Sequence, residues 1–348
     1  MRRLPIYFLI DVSESMVGEP IQHVEEGLAT IIQALKTDPR ALETVWVSII
    51  VFAGQTKTIV PLQEIISFYP PKFPVGSGTA LSKGLGHLMY ELRKNTVKTT
   101  AEKKGDWKPI IYLFTDGVPT DKASDLQVAI NEWRQKWQRS SNLVAVSFSD
   151  TTDARVLGEL TENVLQFKNA DTNSYKKFFD WVTDSIVSQS EFIENKSSAF
   201  NLEIQQNDVV SKIDLSKAEK PVADDNFVVI AAKCQHTKRP YLIKYRKNVF
   251  IDRTGEIGLD YRLVGAFQID TTYFELSDEN DVNLKIHSDK LLGAPTCPWC
   301  GNQFAFVMCA CAKIHCIGTD ELNTCPWCNE KGYYGSGSEG FDVHRTKG

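Results

Sequence analysis

An apolar run that ends in alternating acidic and hydroxyl side chains is the feature that most limits how this chain can fold. Residues Leu4–Ile10 are almost entirely apolar, which is typical of a strand buried on both faces of a parallel sheet. Asp11, Ser13 and Ser15 follow this run at alternate positions. In open α/β sheets, ligands bind at the carboxyl ends of the strands. Three oxygen-bearing side chains at such an end predict a site for a small hard cation, Mg²⁺ or Mn²⁺.

Two later segments carry matching polar residues. The stretch Gly76–Thr79 comes before a helical pattern, and Thr79 supplies a third hydroxyl. Ile110–Phe114 is a second buried-strand pattern, and Asp116 follows it closely. Taken alone, Asp11 could cap a helix and Asp116 could belong to a turn. Taken together and in this order, the segments favour metal ligands.

This order of motifs resembles the von Willebrand factor A (vWA) family. An Asp-x-Ser-x-Ser motif, then a distal threonine, then Thr-Asp-Gly after a strand carry the metal-ion-dependent adhesion site of that family. The resemblance implies that Ser13, Ser15 and Thr79 bind Mg²⁺ (or Mn²⁺) directly, and that Asp11 and Asp116 bind it directly or through water. It also implies one open coordination position for an acidic group of a partner protein.

The first part of the chain, 1–190, alternates strand and helix patterns. This alternation predicts a doubly wound, mostly parallel α/β sheet with helices on both faces, a Rossmann-like architecture that agrees with the vWA resemblance. The second and third strands are close enough to form a hairpin, so one edge strand is predicted to be antiparallel. The predicted strands are Leu4–Ile10, Glu43–Ala53, Thr56–Pro61, Pro109–Phe114, Asn142–Phe148 and Val164–Phe167, and the predicted helices are Ile21–Lys36, Thr79–Asn95, Lys122–Arg139, Ala154–Leu160 and Ser174–Ser190.

Residues 191–293 are predicted to form a separate small β-rich domain, because helical periodicity fades there. Cys234 and His236 lie close together in this part, but without neighbouring partners we expect a structural role for them. The glycine- and serine-rich segment 335–348 is predicted to be a flexible tail. The strand-like runs are Phe227–Ala232, Tyr241–Tyr245, Leu259–Phe267 and Thr272–Leu276.

Segment 294–334 is rich in cysteine and predicts a zinc-binding domain. Two Cys-Pro-Trp-Cys turns can each direct two sulfurs at one tetrahedral ion. Seven cysteines and one histidine make eight ligands, so we favour two Zn²⁺ ions, although the two turns alone would hold one. Sulfur-rich sites with no place for a water ligand are structural rather than catalytic. The candidate ligands are Cys297, Cys300, Cys309, Cys311, His315, Cys316, Cys325 and Cys328.

The combination of a vWA-like region with this cysteine pattern resembles the TerY-type proteins of tellurite-resistance and stress-response systems. The resemblance implies a C-terminal TerY-C-like metal-binding domain. It also implies a protein kinase and a protein phosphatase as partners in phosphorylation-linked signalling. A RING finger, as in ubiquitin-ligase-type proteins, is the alternative for the zinc region. In RING fingers, however, two other residues usually separate the ligands of the third pair, whereas His315 and Cys316 are adjacent.

Composition and charge limit the classes of function and the cell compartments that the chain fits. With 348 residues and a net charge of −5, the chain offers no electrostatic reason to bind nucleic acid. No apolar stretch reaches the roughly 20 residues that span a membrane. The apolar N-terminal run lacks a cleavage-site pattern and is broken by Asp11, so we expect a strand rather than a signal peptide, and a cytoplasmic protein. Clustered cysteines in that compartment favour metal over disulfides.

The sequence favours a non-enzymatic protein-interaction adaptor. It contains no phosphate-binding loop of the Gly-x-x-x-x-Gly-Lys type, no kinase signature, no Gly-x-Ser-x-Gly and no His-Glu-x-x-His. A Mg²⁺-dependent phosphohydrolase-type enzyme remains the enzymatic alternative, although no nucleophile or general base stands out.

Overall fold

The apolar strands of the first half of the chain form one sheet in the structure, a computed structural model. The residues it describes separate into two units. The first unit comprises Met1–Val12, Gly18–Phe73 and Thr79–Pro221, and the second comprises Ser13–Val17, Pro74–Gly78 and Val222–Gly348. The described residues are 2–102, 104–148, 153–167, 172–192, 210–213, 226–251, 255–278, 284–320, 322–335 and 340–346.

The first unit contains a seven-stranded sheet in the order β3-β2-β1-β4-β5-β6-β7. The central pairs are parallel, and the two edge pairs, β2 with β3 and β6 with β7, are antiparallel. This confirms the mostly parallel α/β sheet and the antiparallel hairpin. The strands are β1 (Leu4–Asp11), β2 (Val45–Phe52), β3 (Thr56–Glu64), β4 (Ile110–Thr115), β5 (Asn142–Ser147), β6 (Val164–Phe167) and β7 (Val210–Lys212).

Six α-helices accompany this sheet among the described residues. The short α2, which begins at a proline, was not predicted, and Asp38 caps it by accepting a hydrogen bond from the Ala41 amide at 2.7 Å. The predicted helix at Thr79 begins two residues later, at Leu81. The helices are α1 (Glu19–Thr37), α2 (Pro39–Thr44), α3 (Leu81–Asn95), α4 (Ala123–Lys136), α5 (Ala154–Leu160) and α6 (Thr172–Phe192).

The core of the first unit follows from the apolar runs. Strand β1 is buried along its whole length, as expected of a central parallel strand. On one face of the sheet, Leu85 and Leu88 of α3 and Trp133 of α4 pack against strand residues such as Leu113. This apolar layer fixes the strand ends, and therefore the side chains that follow them.

The second unit contains a six-stranded sheet in the order β12-β10-β9-β8-β14-β13, and two small two-stranded sheets, β11 with β17 and β15 with β16. Its single described α-helix is α7 (Thr272–Leu276). The strands are β8 (Phe227–Lys233), β9 (Pro240–Ile251), β10 (Ile257–Gln268), β11 (Lys285–His287), β12 (Leu291–Leu292), β13 (Val307–Met308), β14 (Ile314–His315), β15 (Leu322–Thr324), β16 (Lys331–Tyr333) and β17 (Asp342–His344).

The second unit differs from the predicted division in three ways. The six-stranded sheet takes strands from both 191–293 and 294–334, because β14 pairs with β8. The predicted tail 335–348 contains β17, which pairs with β11. The predicted strand Thr272–Leu276 is a helix, since Asp270 accepts a hydrogen bond from the Thr272 amide at 2.8 Å and starts a helical turn.

No helix in the described part of the chain has the length and apolar character needed to cross a membrane.

Candidate metal sites

Two carboxylates of the predicted magnesium site end neighbouring strands of the first unit. Strands β1 and β4 are parallel, with Ile10 opposite Phe114, so Asp11 and Asp116 both follow the same edge of the sheet. Both residues are buried. The Thr115 hydroxyl donates a hydrogen bond to Asp11 Oδ2 at 2.7 Å. Thr115 therefore fixes the direction of the Asp11 carboxylate, as a supporting residue behind a metal ligand does.

Thr79 lies in a loop held to the segment after β4. Its amide donates to Thr120 Oγ1 at 2.9 Å, and its carbonyl oxygen accepts from the Thr120 amide at 2.9 Å. Asp121 accepts hydrogen bonds from the amide and the hydroxyl of Ser82, in the first turn of α3. Burial raises the pKa of the Asp121 carboxyl. These contacts fix the Thr79 loop within the first unit.

The hydroxyl pair Ser13 and Ser15 lies in the segment Ser13–Val17, which belongs to the second unit. Both hydroxyls are buried, and their oxygens are hydrogen-bonded at 3.0 Å. Neighbouring ligands of an octahedral Mg²⁺, with metal–oxygen distances of about 2.1 Å, lie about 3.0 Å apart. The hydroxyl pair therefore has the spacing of one edge of a Mg²⁺ octahedron.

The segment Ser13–Val17 is fixed by side chains of the second unit. Buried Lys244 donates hydrogen bonds from Nζ to the carbonyl oxygens of Ser15 at 2.5 Å and Val17 at 3.0 Å. The Tyr273 hydroxyl donates to Glu14 Oε1 at 2.5 Å. Burial raises the pKa of Glu14 to about 7, although the bond from Tyr273 opposes this shift.

The eight cysteines form two groups of four, and all have free thiols. Within each group the sulfur atoms lie within 4.8 Å of one another. Sulfur-to-sulfur distances of 3.7 to 3.8 Å match the edge of about 3.8 Å expected for a tetrahedral Zn²⁺ with Zn–S bonds of about 2.3 Å. The donor sets therefore fit two zinc ions. The first group is Cys234, Cys297, Cys300 and Cys316, and the second is Cys309, Cys311, Cys325 and Cys328.

Cys234 begins a turn like those of the two Cys-Pro-Trp-Cys motifs. The Cys234 carbonyl accepts from the Lys238 amide at 3.0 Å, just as the Cys297 carbonyl accepts from Gly301 at 2.9 Å and the Cys325 carbonyl from Asn329 at 3.0 Å. The last residue of each turn has a positive φ, between 60° and 75°. Cys234 was expected to have a structural role without neighbouring partners; it instead has the backbone setting of the first cysteine of each Cys-Pro-Trp-Cys motif and joins a group that could hold a metal ion.

His315, predicted as a zinc ligand, belongs to neither group. Its Nδ1 lies 2.9 Å from the Cys316 carbonyl oxygen, and its Nε2 lies 3.2 Å from the Tyr334 hydroxyl. Burial lowers the pKa of His315, so the neutral ring donates from Nδ1 and accepts at Nε2. In this structure the His315 ring is therefore hydrogen-bonded to these two oxygens, and only Cys316 of the adjacent pair belongs to a cysteine group.

The pairing of β14 with β8 explains why Cys234 joins the first group. Ala232 is opposite Ile314 and Lys233 is opposite His315, so the next step along these parallel strands brings Cys234 beside Cys316. Sequence spacing could not show this contact. One signal was available, because eight cysteines divide into two complete sets of four without a histidine.

Two family models match the chain. The model of the von Willebrand factor type A domain matches residues 6–181, and the chain belongs to this family. The model of the TerY-C metal-binding domain matches residues 224–348. A vWA domain followed by a TerY-C domain is the TerY-type architecture that the sequence predicted.

Solved structures resemble part of the chain. A von Willebrand factor type A structure from Catenulispora acidiphila is 15% identical, with a TM-score of 0.39, over 53% of this chain and 43% of the other. The pilus adhesin SpaC from Lactobacillus rhamnosus GG is 14% identical, with a TM-score of 0.44, over 54% and 31%. Proximal thread matrix protein 1 from the mussel byssus, with a zinc-occupied MIDAS motif, is 17% identical, with a TM-score of 0.37, over 54% and 46%.

This chain spans less than half the length of each of these three structures. No curated protein is significantly similar to it.

Proposed function

We propose that this protein is a metal-dependent protein-interaction adaptor. Asp11, Ser13, Ser15, Thr79 and Asp116 would hold Mg²⁺ or Mn²⁺, which supplies an open coordination position for an acidic group of a partner. The observation that carries the proposal is the 3.0 Å spacing of the Ser13 and Ser15 hydroxyl oxygens, which suits adjacent ligands of Mg²⁺. The membership in the vWA family supports the same reading.

The residues present suit Mg²⁺ better than a soft metal. Three hydroxyls and two carboxylates are all oxygen ligands, and such ligands favour magnesium or manganese. Few carboxylates leave the ion with residual positive charge, so an incoming carboxylate or phosphate gains from binding it. No group in this set resembles an activated nucleophile, which supports binding rather than catalysis.

The second part of the proposal concerns the cysteine groups. Two Zn²⁺ ions, each bound by four thiolates, would stabilise the second unit without taking part in chemistry. The cysteines of the two groups are interleaved along residues 297–328, since Cys316 of the first group lies between the two pairs of the second group.

The partners are proposed from the TerY-type architecture. A protein kinase and a protein phosphatase in the cytoplasm, acting in a stress-response or tellurite-resistance system, are the candidates. A phosphorylated or acidic surface of either one would suit the open coordination position.

The test combines metal binding with partner capture. Mn²⁺ binding would be followed by electron paramagnetic resonance, and proteins captured from lysate with Mg²⁺ or EDTA would be identified by mass spectrometry. Thr79→Ala is expected to weaken Mn²⁺ binding and to abolish Mg²⁺-dependent capture of a kinase or phosphatase. Thr161→Ala is the matched control, because it removes another buried threonine hydroxyl, which donates to the Leu143 carbonyl oxygen.

Unchanged Mn²⁺ affinity in Thr79→Ala would remove Thr79 from the site. A wild-type protein that bound no Mn²⁺ would contradict the adaptor mechanism as a whole. Capture of the same kinase or phosphatase with EDTA as with Mg²⁺ would show that the partner binds without the metal.

A further inference from the structure

The six-stranded sheet of the second unit has two different faces. On one face, Ile230 of β8 and Tyr241 of β9 share an apolar cluster with Cys297 and Cys316. The Tyr241 hydroxyl on this face donates to the Ala305 carbonyl oxygen at 2.6 Å. This face therefore supports the first cysteine group.

The opposite face packs on the segment that carries the hydroxyl pair. Val229 of β8 and Leu242 of β9 form a second apolar cluster with Val17, Ile269 and Tyr273. Neighbouring residues of β8 and β9 thus lie on opposite faces of the sheet, because successive side chains of a strand alternate between its two faces. We call the face with Cys297 and Cys316 the cysteine face; the other face covers Val17.

Lys244 makes two polar contacts from this second face. It is buried, with 3% of its surface exposed, and its ammonium group donates to the carbonyl oxygens of Ser15 and Val17. These carbonyls lie at the C-terminal end of the short 3-10 helix Glu14–Met16. Carbonyls at a helix end lack partners within the helix and carry partial negative charge, so a buried cation is well placed there.

Tyr273 holds the same segment from another direction. Its ring belongs to the cluster with Val17, and its hydroxyl binds the side chain of Glu14, which lies between Ser13 and Ser15. Two side chains of the C-terminal part of the chain, 227 residues or more away in sequence, therefore contact this segment: Lys244 binds its backbone at Ser15 and Val17, and Tyr273 binds the Glu14 side chain.

We propose that Lys244 and Tyr273 are positioning residues for the Ser13–Val17 segment, and through it for the Ser13 and Ser15 hydroxyls, so that they raise the affinity of these hydroxyls for the metal ion. This inference rests on the proposed function for the metal ion itself.

The experiment uses the full chain and measures Mn²⁺ alone. Lys244→Met removes both hydrogen bonds and keeps the length of the side chain, and Tyr273→Phe removes only the hydroxyl. We expect the Mn²⁺ dissociation constant to rise about 10- to 100-fold in Lys244→Met, the range known for residues that orient metal ligands, and by less in Tyr273→Phe. Hydrogen exchange of the Met16 and Val17 amides should become faster in both.

Tyr241→Phe is the matched control. It removes a buried tyrosine hydroxyl from the cysteine face of the same sheet. We expect the stability of the protein to fall about as much as in Tyr273→Phe, while the Mn²⁺ affinity stays at the wild-type value. Zinc content, measured by mass spectrometry, should be unchanged in Tyr273→Phe. If Lys244→Met does not fold, Tyr273→Phe still decides the question.

The outcomes separate the two proposals. Wild-type Mn²⁺ affinity and wild-type exchange of residues 13–17 in Tyr273→Phe and in a folded Lys244→Met would overturn this inference and leave the adaptor site standing. An equal loss of affinity in Tyr241→Phe would also overturn it, because the effect would then be one of general stability. A wild-type protein that bound no Mn²⁺ would overturn the proposed function, and with it the claim about affinity.

Discussion

The two candidate kinds of metal site in this chain differ in how their surroundings are built. Asp11 is the last residue of β1 and Asp116 follows β4, and the side chains of both strands are buried in a large apolar sheet. The cysteine groups lie in a region of short strands, where β13 and β14 have two residues each. A large core can hold metal ligands in place without an ion, whereas short strands need the ion to complete the fold. The two carboxylates should therefore depend on the fold of the first unit, and the second unit on its metal.

The largest expected effect is the unfolding of the second unit when zinc is removed. Structural zinc contributes about 10–16 kcal/mol of apparent binding free energy to small domains. After treatment with a strong zinc chelator, we expect hydrogen exchange of β8 and β9 to rise by orders of magnitude, while β1 and β4 keep their protection. Hydrogen-exchange mass spectrometry of the whole chain measures both units in one sample.

Magnesium removal provides the control for that experiment. EDTA in amounts that strip Mg²⁺ but leave zinc, as checked by zinc content, should change neither unit's core strands. Equal loss of protection in β1 and β8 on zinc removal would contradict the proposed difference between the two units.

The second prediction concerns which residues bind zinc. Cys234→Ser is expected to lower the zinc content from two ions per chain toward one, because it removes one of four thiolates. His315→Leu should keep both ions. It should lower the free energy of unfolding by about 1–3 kcal/mol, since the Cys316 carbonyl and the Tyr334 hydroxyl lose a buried partner.

Zinc content by mass spectrometry and unfolding in urea distinguish these two variants. The opposite result, with zinc lost from His315→Leu and retained by Cys234→Ser, would restore the ligand set expected from the sequence.

The third prediction tests the packing of the first unit. A Cβ added at Gly27 of α1 would lie 2.0 Å from the ring of Phe179 in α6, so Gly27→Ala should lower the free energy of unfolding by about 1–3 kcal/mol. Gly86 in α3 has no atom within 4 Å of such a Cβ, and Gly86→Ala should raise it by up to about 1 kcal/mol because alanine favours helix.

Thermal and urea unfolding of both alanine variants measure this difference. If Gly27→Ala were as stable as Gly86→Ala, the close packing of α1 on α6 would be absent in solution.

The sequence predictions were more accurate where the apolar pattern of an element was longer. Strand β1 and helix α1 have long apolar patterns, and their positions were predicted within two residues. Helix α7 has only five residues, which is too short to distinguish the 3.6-residue apolar period of a helix from the two-residue period of a strand. The role of Cys234 depends on the pairing of β8 with β14, a contact across about 80 residues that spacing alone cannot reveal.

The candidate oxygen site shows the same limit. Asp11 and Asp116 could be proposed as ligands because each follows a recognisable apolar strand pattern within two residues. Lys244 and Tyr273 could not be connected with Ser15 and Glu14, because these contacts depend on tertiary folding of the second unit. The residues expected to touch a metal were thus visible in the sequence, while those that hold them in place were not.

The smallest expected effect concerns the hydrogen bond behind Asp11. Thr115→Val keeps the shape of a buried side chain but removes the hydroxyl that donates to Asp11 Oδ2. The carboxylate then loses its fixed direction, and we expect the Mn²⁺ dissociation constant to rise about 10-fold, the lower end of the range for residues that orient metal ligands. Thr161→Val removes a buried hydroxyl that donates a hydrogen bond to the Leu143 carbonyl oxygen, and it should leave the Mn²⁺ dissociation constant unchanged. Equal Mn²⁺ affinity in both variants would show that packing alone holds Asp11 in the first unit. The oxygen ligands would then differ even more than proposed from the cysteine groups, whose geometry is expected to depend on the ion.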